Sequence, residues 1–213
     1  MKDVRKLLSD ALLEICERKS LDHVTVTEIA AHAGLTRQVF YRYFLDKYDL
    51  AKFIHICDFY GALDAIISNE DCDADVWIKV CNTWLDVIKA RPQFYQNIYH
   101  SSSNEEFKKM MRTYNTNFYM GVAQYQLGPQ IDPEVVFVIQ MYLAGVTEKI
   151  NDWILAGAKM PIEELNRLLR LGMPERIQDL VMLRGLDGAV AKKIVQDAYP
   201  ESQALAYAFS KTT

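Results

Sequence analysis

Apolar residues recur along this chain at intervals of three and four, the period of a helix face. Val4, Leu7, Leu8, Ala11, Leu12 and Ile15 predict a first helix from about Lys2 to Arg18. The polar stretch Lys19–His23 ends it. Thr25 followed by Glu28 has the spacing of a capping box and starts a second helix, which Gly34 closes because a positive φ is cheap for glycine. Thr36 is the expected N-cap of a third helix ending near Phe44. Asp46 is the expected cap of a fourth, running from Lys47 toward Ser68. Periodicity resumes after Asp71–Asp75 and breaks at Pro92. It predicts a short helix over Tyr95–Tyr99, a loop over Ser101–Asn104, and long helices over Glu105–Leu127 and Pro133–Ala156. Ile162–Leu171 is short and amphipathic. Two or three short helices come after it, set off by Gly185, Gly188 and Pro200. No strand alternation longer than about four residues occurs, so the expected class is all-α.

The third helix carries the first functional signal. At about 100° per residue from Thr36, Phe40 and Phe44 fall together and face a core with Leu12, Ile29 and Ala33. Arg37, Gln38, Tyr41 and Arg42 fall on the opposite side. A helix this short needs its two phenylalanine anchors, and they leave its polar side free to enter a DNA major groove. Arginine can bridge guanine O6 and N7, and glutamine can bridge adenine N6 and N7. Tyr41 and Lys47 suit phosphate, as do the helix starts at Thr25 and Thr36. A solvated helix face is the competing reading of the same residues.

Charge sharpens this. The net charge is −4, yet residues 1–50 hold eight basic and eight acidic side chains, so the deficit falls on the rest of the chain. DNA would therefore be met by one local face. Half of the residues are hydrophobic and 24% are charged, as in a globular protein. The start MKDVRKLLSDALLEI has charges within its apolar run, so no secretory signal is expected, and no stretch of about 18 uninterrupted apolar residues occurs, so no membrane span is expected. Cys16, Cys57, Cys72 and Cys81 lack a CxxC pair and read as free thiols in a reducing cytoplasm. His23, His32 and His55 have no metal-ligand spacing. No phosphate loop, dinucleotide fingerprint or nucleophile elbow is present, so no cofactor, metal or catalytic residue is expected and an enzyme is disfavoured.

The pattern VTEIAxxAGLTRxxFYRYFxxKxDL resembles the N-terminal domain of the TetR family of bacterial regulators over about residues 5–52. The resemblance implies an all-helical cytoplasmic homodimer. Residues 1–46 would be a helix-turn-helix DNA-binding domain, and residues 47–213 a larger ligand-binding and dimerisation domain, extended from about residue 174. It carries DNA contacts over to Thr36, Arg37, Gln38, Tyr41, Arg42, Tyr43 and Lys47. Many members have Gly at the position of Gln38. TRQVFYRYF instead resembles a subset related to the regulators of dihydroxyacetone-kinase operons, some of which act as coactivators with a partner protein.

In such regulators the last two long helices pair across a two-fold axis. This places Val136, Ile139, Gln140, Leu143, Thr147, Leu165 and Leu169 at a dimer interface. Trp84, Tyr95, Tyr99, Tyr114, Phe118 and Tyr142 are candidate walls of a pocket for an unidentified small-molecule effector, though aromatics at helical spacing also serve simply as core. The expected function is a ligand-responsive regulator, with repression of a pseudo-palindromic operator as the default. The alternative is a coactivator module with little DNA affinity.

Overall fold

The computed structural model describes residues 3–67, 76–183 and 186–198. Among these residues every regular element is helical. Cys72, Gly185 and Pro200 lie outside them. No described helix is long and apolar enough to cross a membrane.

Local chemistry sets the first three helices. Helix α1 (Val4–Cys16) starts where Asp3 accepts from the amides of Arg5 (3.1 Å) and Lys6 (3.3 Å), and it buries Leu8, Ala11, Leu12 and Cys16. It is shorter than the apolar period alone predicts, because this cap fixes its start. A single 3-10 turn, Leu21–His23, leads to α2 (Val26–His32). The capping box forms in both directions. Glu28 N donates to Thr25 Oγ1 (3.2 Å) and Thr25 N donates to Glu28 Oε2 (2.8 Å). Gly34 then turns the chain at φ +69°. Leu35 N reaches Ala30 O (2.8 Å) and Gly34 N reaches Ala31 O (3.1 Å), the paired bonds of a Schellman ending.

Helix α3 (Arg37–Tyr41) is capped by Thr36, whose Oγ1 accepts from Val39 N at 3.3 Å. It stops before Phe44, to which periodicity alone extends it. The amide of Phe44 still reaches Phe40 O (3.0 Å), but the chain must then turn into α4 (Lys47–Ile67). Asp46 caps α4 through the amides of Tyr48 and Asp49, both at 2.8 Å, and Asp49 takes the amide of Leu45 in return (3.0 Å).

The remaining helices are α5 (Val76–Ala90), α6 (Pro92–His100), α7 (Asn104–Leu127), α8 (Pro133–Leu155), α9 (Ile162–Leu171), α10 (Gln178–Val181) and α11 (Gly188–Ala198). Pro92 opens α6 three residues ahead of the expected start, since proline suits a first helical turn. Gly128 at φ +94° ends α7. One continuous apolar core runs from Leu8, Phe40 and Phe44 through Phe53 and Tyr60 to the later helices, with α4 as its spine. Helix α11, the last among the described residues, folds back on α7, with Ile194 set over Gly121. A Cβ at Gly121 would lie 2.6 Å from Ile194 Cγ2, so only glycine admits this approach.

Candidate nucleic-acid interface and internal cavity

Phe40 and Phe44 are buried, with ring centroids 5.9 Å apart, and Phe44 meets Phe53 of α4 edge-on at 5.1 Å. The short third helix is thus fastened to α4 by a row of rings. Thr25, Thr36, Arg37, Gln38, Tyr41 and Arg42 are all exposed. The Arg37 guanidinium lies 5.9 Å over the Tyr41 ring, so two of the polar groups are held beside one another. Leu45, which the sequence pattern does not single out, stands 83% exposed just beyond α3.

Two expected contact residues have other partners. Tyr43 is half-buried, with the Arg5 guanidinium 5.0 Å over its ring. Lys47 Nζ donates to the carbonyls of Asp22 (2.6 Å) and Val24 (2.9 Å), tying the turn before α2 to the start of α4. Two of its three N–H groups are therefore spent inside the fold.

The same turn is held from the other side. Asp22 accepts from Tyr48 Oη (2.9 Å) and Ser102 N (3.0 Å), while Asn97 of α6 donates to Cys16 O at 2.8 Å and to Lys19 O at 3.3 Å. Partial burial raises the Asp22 pKa, but the bonds from Tyr48 and Ser102 outweigh it and leave the carboxyl below its usual range. Sequence spacing gives no sign of these contacts, because they join positions far apart in the chain.

A cavity of about 90 Å³ lies among α4, α5, α7, α8 and α9. Trp84, Tyr99 and Tyr142 line it as expected, together with Phe59, Tyr119 and Asn115. Tyr95, Tyr114 and Phe118 do not. Tyr95 is buried and donates to Asp58 (2.7 Å), which also takes Arg91 at 2.6 Å. Phe118 is buried edge-on to Tyr119 (5.2 Å), and Tyr114 packs half-buried beside the core. One signal was legible in the sequence: Met111, Asn115 and Tyr119 repeat every four residues and form the face of α7 that reaches the cavity. Behind Trp84 sits His55, fully buried among Trp84, Tyr95 and Phe107 at 4.9–5.7 Å, with no hydrogen-bond partner on either ring nitrogen among the described residues. Burial lowers its pKa to about 3.

The structure corrects most of the expected dimer face. Ile139 (0% exposed), Leu143, Thr147 and Leu165 are buried within the protomer, and Leu143, Thr147 and Leu169 line the cavity. Val136 is half-buried and Gln140 exposed. The apolar side that α8 leaves open is one helical step away, at Phe137 (65% exposed) and Met141. On α9 it is Leu168 and Leu171 (76% exposed).

Residues 8–53 match the family model described as bacterial regulatory proteins of the tetR family, and residues 75–173 match that of a transcriptional regulator C-terminal region of TetR type. Among solved structures the chain is similar to one titled dihydroxyacetone kinase operon activator DhaS. Identity is 20%, the match covers 80% of this chain and 96% of that one, and the TM-score is 0.57. It is also similar to the fatty acid degradation regulator FadR from Bacillus halodurans, at 17% identity over 87% of this chain and 97% of that one, with a TM-score of 0.53. At these identities the likeness speaks for the fold. No curated protein matches the chain.

Proposed function

This chain belongs to the TetR family of bacterial regulatory proteins, and on that premise we propose that it is a ligand-responsive repressor acting as a homodimer in the bacterial cytoplasm. Residues 1–46 form its DNA-binding part and residues 47–213 its sensing and dimerising part. The observation that carries the reading is the exposed polar side of α3, Arg37, Gln38, Tyr41 and Arg42, backed by the buried Phe40 and Phe44. Arg37, Arg42 and Gln38 read base edges, and Thr36 and Tyr41 hold phosphate. Lys47 serves this face by holding the preceding turn in place.

Two copies joined through Phe137, Met141, Leu168 and Leu171 would present paired recognition helices about 34–36 Å apart to a pseudo-palindromic operator. An effector in the cavity favours a conformer with different spacing, and α4 is the lever. A full shift requires about 5 kcal/mol of differential affinity.

The test is fluorescence anisotropy on fragments selected from the source genome. Binding should fall steeply with salt, and Tyr41→Ala should weaken it about equally on every fragment. Gln38→Ala should relax preference at a single base position, a loss of about 1–3 kcal/mol there. Absence of salt-dependent binding would replace this reading with the coactivator one. Phe137→Glu together with Met141→Glu should give monomers by light scattering; a persisting dimer would put the interface elsewhere.

A further inference from the structure

The match to the C-terminal family model ends at residue 173, yet the chain beyond that point is packed onto the domain. Arg176 pairs with Asp132 and with Glu134 (2.6 Å), pinning the segment to the start of α8. Ile177, Leu180, Val181 and Met182 are buried. Leu183 then adopts φ +55°, a conformation that side chains other than glycine take at a cost, so the backbone here is held by its surroundings. Val181 and Met182 are part of the cavity wall.

Outside this wall lies a second basin of about 500 Å³, bordered by Asn82, Glu163, Arg167 and Gln178. The basin and the inner cavity have Ile78, Asn166, Arg170, Met173 and Met182 in common. The two methionines therefore stand where the spaces meet, and an unbranched thioether side chain can swing aside and repack. The inner space is walled by rings, and Arg170 is the sole charged residue on it among the described residues. Arg167 is engaged by Glu164 at 2.7 Å, whereas the Arg170 guanidinium has no ion pair or hydrogen bond among the described residues.

We infer that the segment from Met173 to Met182 is a methionine gate on the effector cavity, and that the site takes a carboxylate amphiphile. The carboxylate stays in the basin on Arg170. The apolar body passes Met173 and Met182 and lies against Trp84, Tyr99 and Tyr142. This rests on the reading of the cavity as the effector site. Guanidinium matches carboxylate in shape as well as charge, and the inner walls hold no other cation to pair with a buried carboxylate among the described residues.

The experiment is calorimetric titration of the full chain with straight-chain alkanoates, hexanoate to dodecanoate, and with the matching alcohols. Each added methylene should tighten binding about three- to fourfold until the cavity is filled. Arg170→Gln should weaken every alkanoate about tenfold or more and leave the alcohols within about twofold. Met182→Ala should move the best fit to a longer or bulkier body. Met182→Leu, which keeps the volume, should retain the original preference and serves if the alanine variant fails to fold. No alkanoate binding, or equal losses for acids and alcohols in Arg170→Gln, would overturn the amphiphile. An unchanged size preference across the Met182 variants would overturn the gate. Operator release is measured separately: alkanoates that bind with this chain-length and Arg170 dependence but leave the DNA complex intact would refute ligand-responsive repression and leave the gate standing.

Discussion

Residues 25–50 and the helices around the cavity satisfy their polar groups in opposite ways. In the first region Thr25, Thr36 and Asp46 each cap a helix, Gly34 closes a Schellman turn, and Lys47 takes up two carbonyls. Around the cavity the buried Nε1 of Trp84, both ring nitrogens of His55 and Oδ1 of Asn151 have no hydrogen-bond partner among the described residues. Buried polar atoms without partners are rare and costly, and they mark places where a structure is not at its stability optimum. A part that must present side chains at fixed positions is locked by local bonds. On the function proposed above, the part that would change shape around a small molecule is the one left under-satisfied.

The contrast can be broken most sharply at the anchor. Phe40→Ala should cost about 3–5 kcal/mol of stability and abolish DNA binding, because the ring both fills the core and holds α3. Thermal melting with anisotropy on the selected fragments tests this; a stable variant that still binds DNA would remove the peg. Lys47→Ala comes next. Loss of two charge-assisted bonds should destabilise by about 2–3 kcal/mol, and DNA binding should recover at temperatures low enough to refold the variant. If binding stays weak in a fully folded variant, Lys47 contacts DNA directly and its role is not confined to bracing the turn.

The smallest effect sharpens the other side. The His55 pKa is depressed to about 3 in the folded chain, against about 6.5 when unfolded. Below about pH 6.5 the unfolded state therefore binds the extra proton. Stability from this group is complete above that pH and declines as pH falls toward about 3, by up to about 1.4 kcal/mol per pH unit. His55→Leu should flatten this dependence and, with no unpartnered nitrogens left, be more stable than the parent near about pH 5. Denaturant midpoints across pH check it; an unaltered slope would assign the acid sensitivity to other groups.

Local signals carried most of the fold into the sequence. The capping box at Thr25, the caps at Thr36 and Asp46, and the stops at Gly34 and Gly128 were all readable, because each involves residues within a few positions of one another. The polar side of α3 was readable for the same reason. What failed required knowing which helix packs where. Pro133–Leu155 is apolar on most of its circumference, so its sequence could not say that Ile139 and Leu143 face inward while Phe137 and Met141 face out. Phe118 and Tyr119 are equivalent as composition, yet one helical step separates core from cavity wall. The bonds from Asn97 and Ser102 to the first helices span most of a hundred positions, and no periodicity announces such pairs.

Those bonds also set how the two halves respond to their medium. Asn97 and the Ser102 amide are neutral donors working at contact distance, and ions in solution do little to such bonds. The proposed hold of Arg37 and Arg42 on a polyanion, by contrast, would be eroded by every increment of salt. On the function proposed above, a rise in internal salt would thus loosen this protein from DNA while the bonds between its first helices and the later ones stay intact.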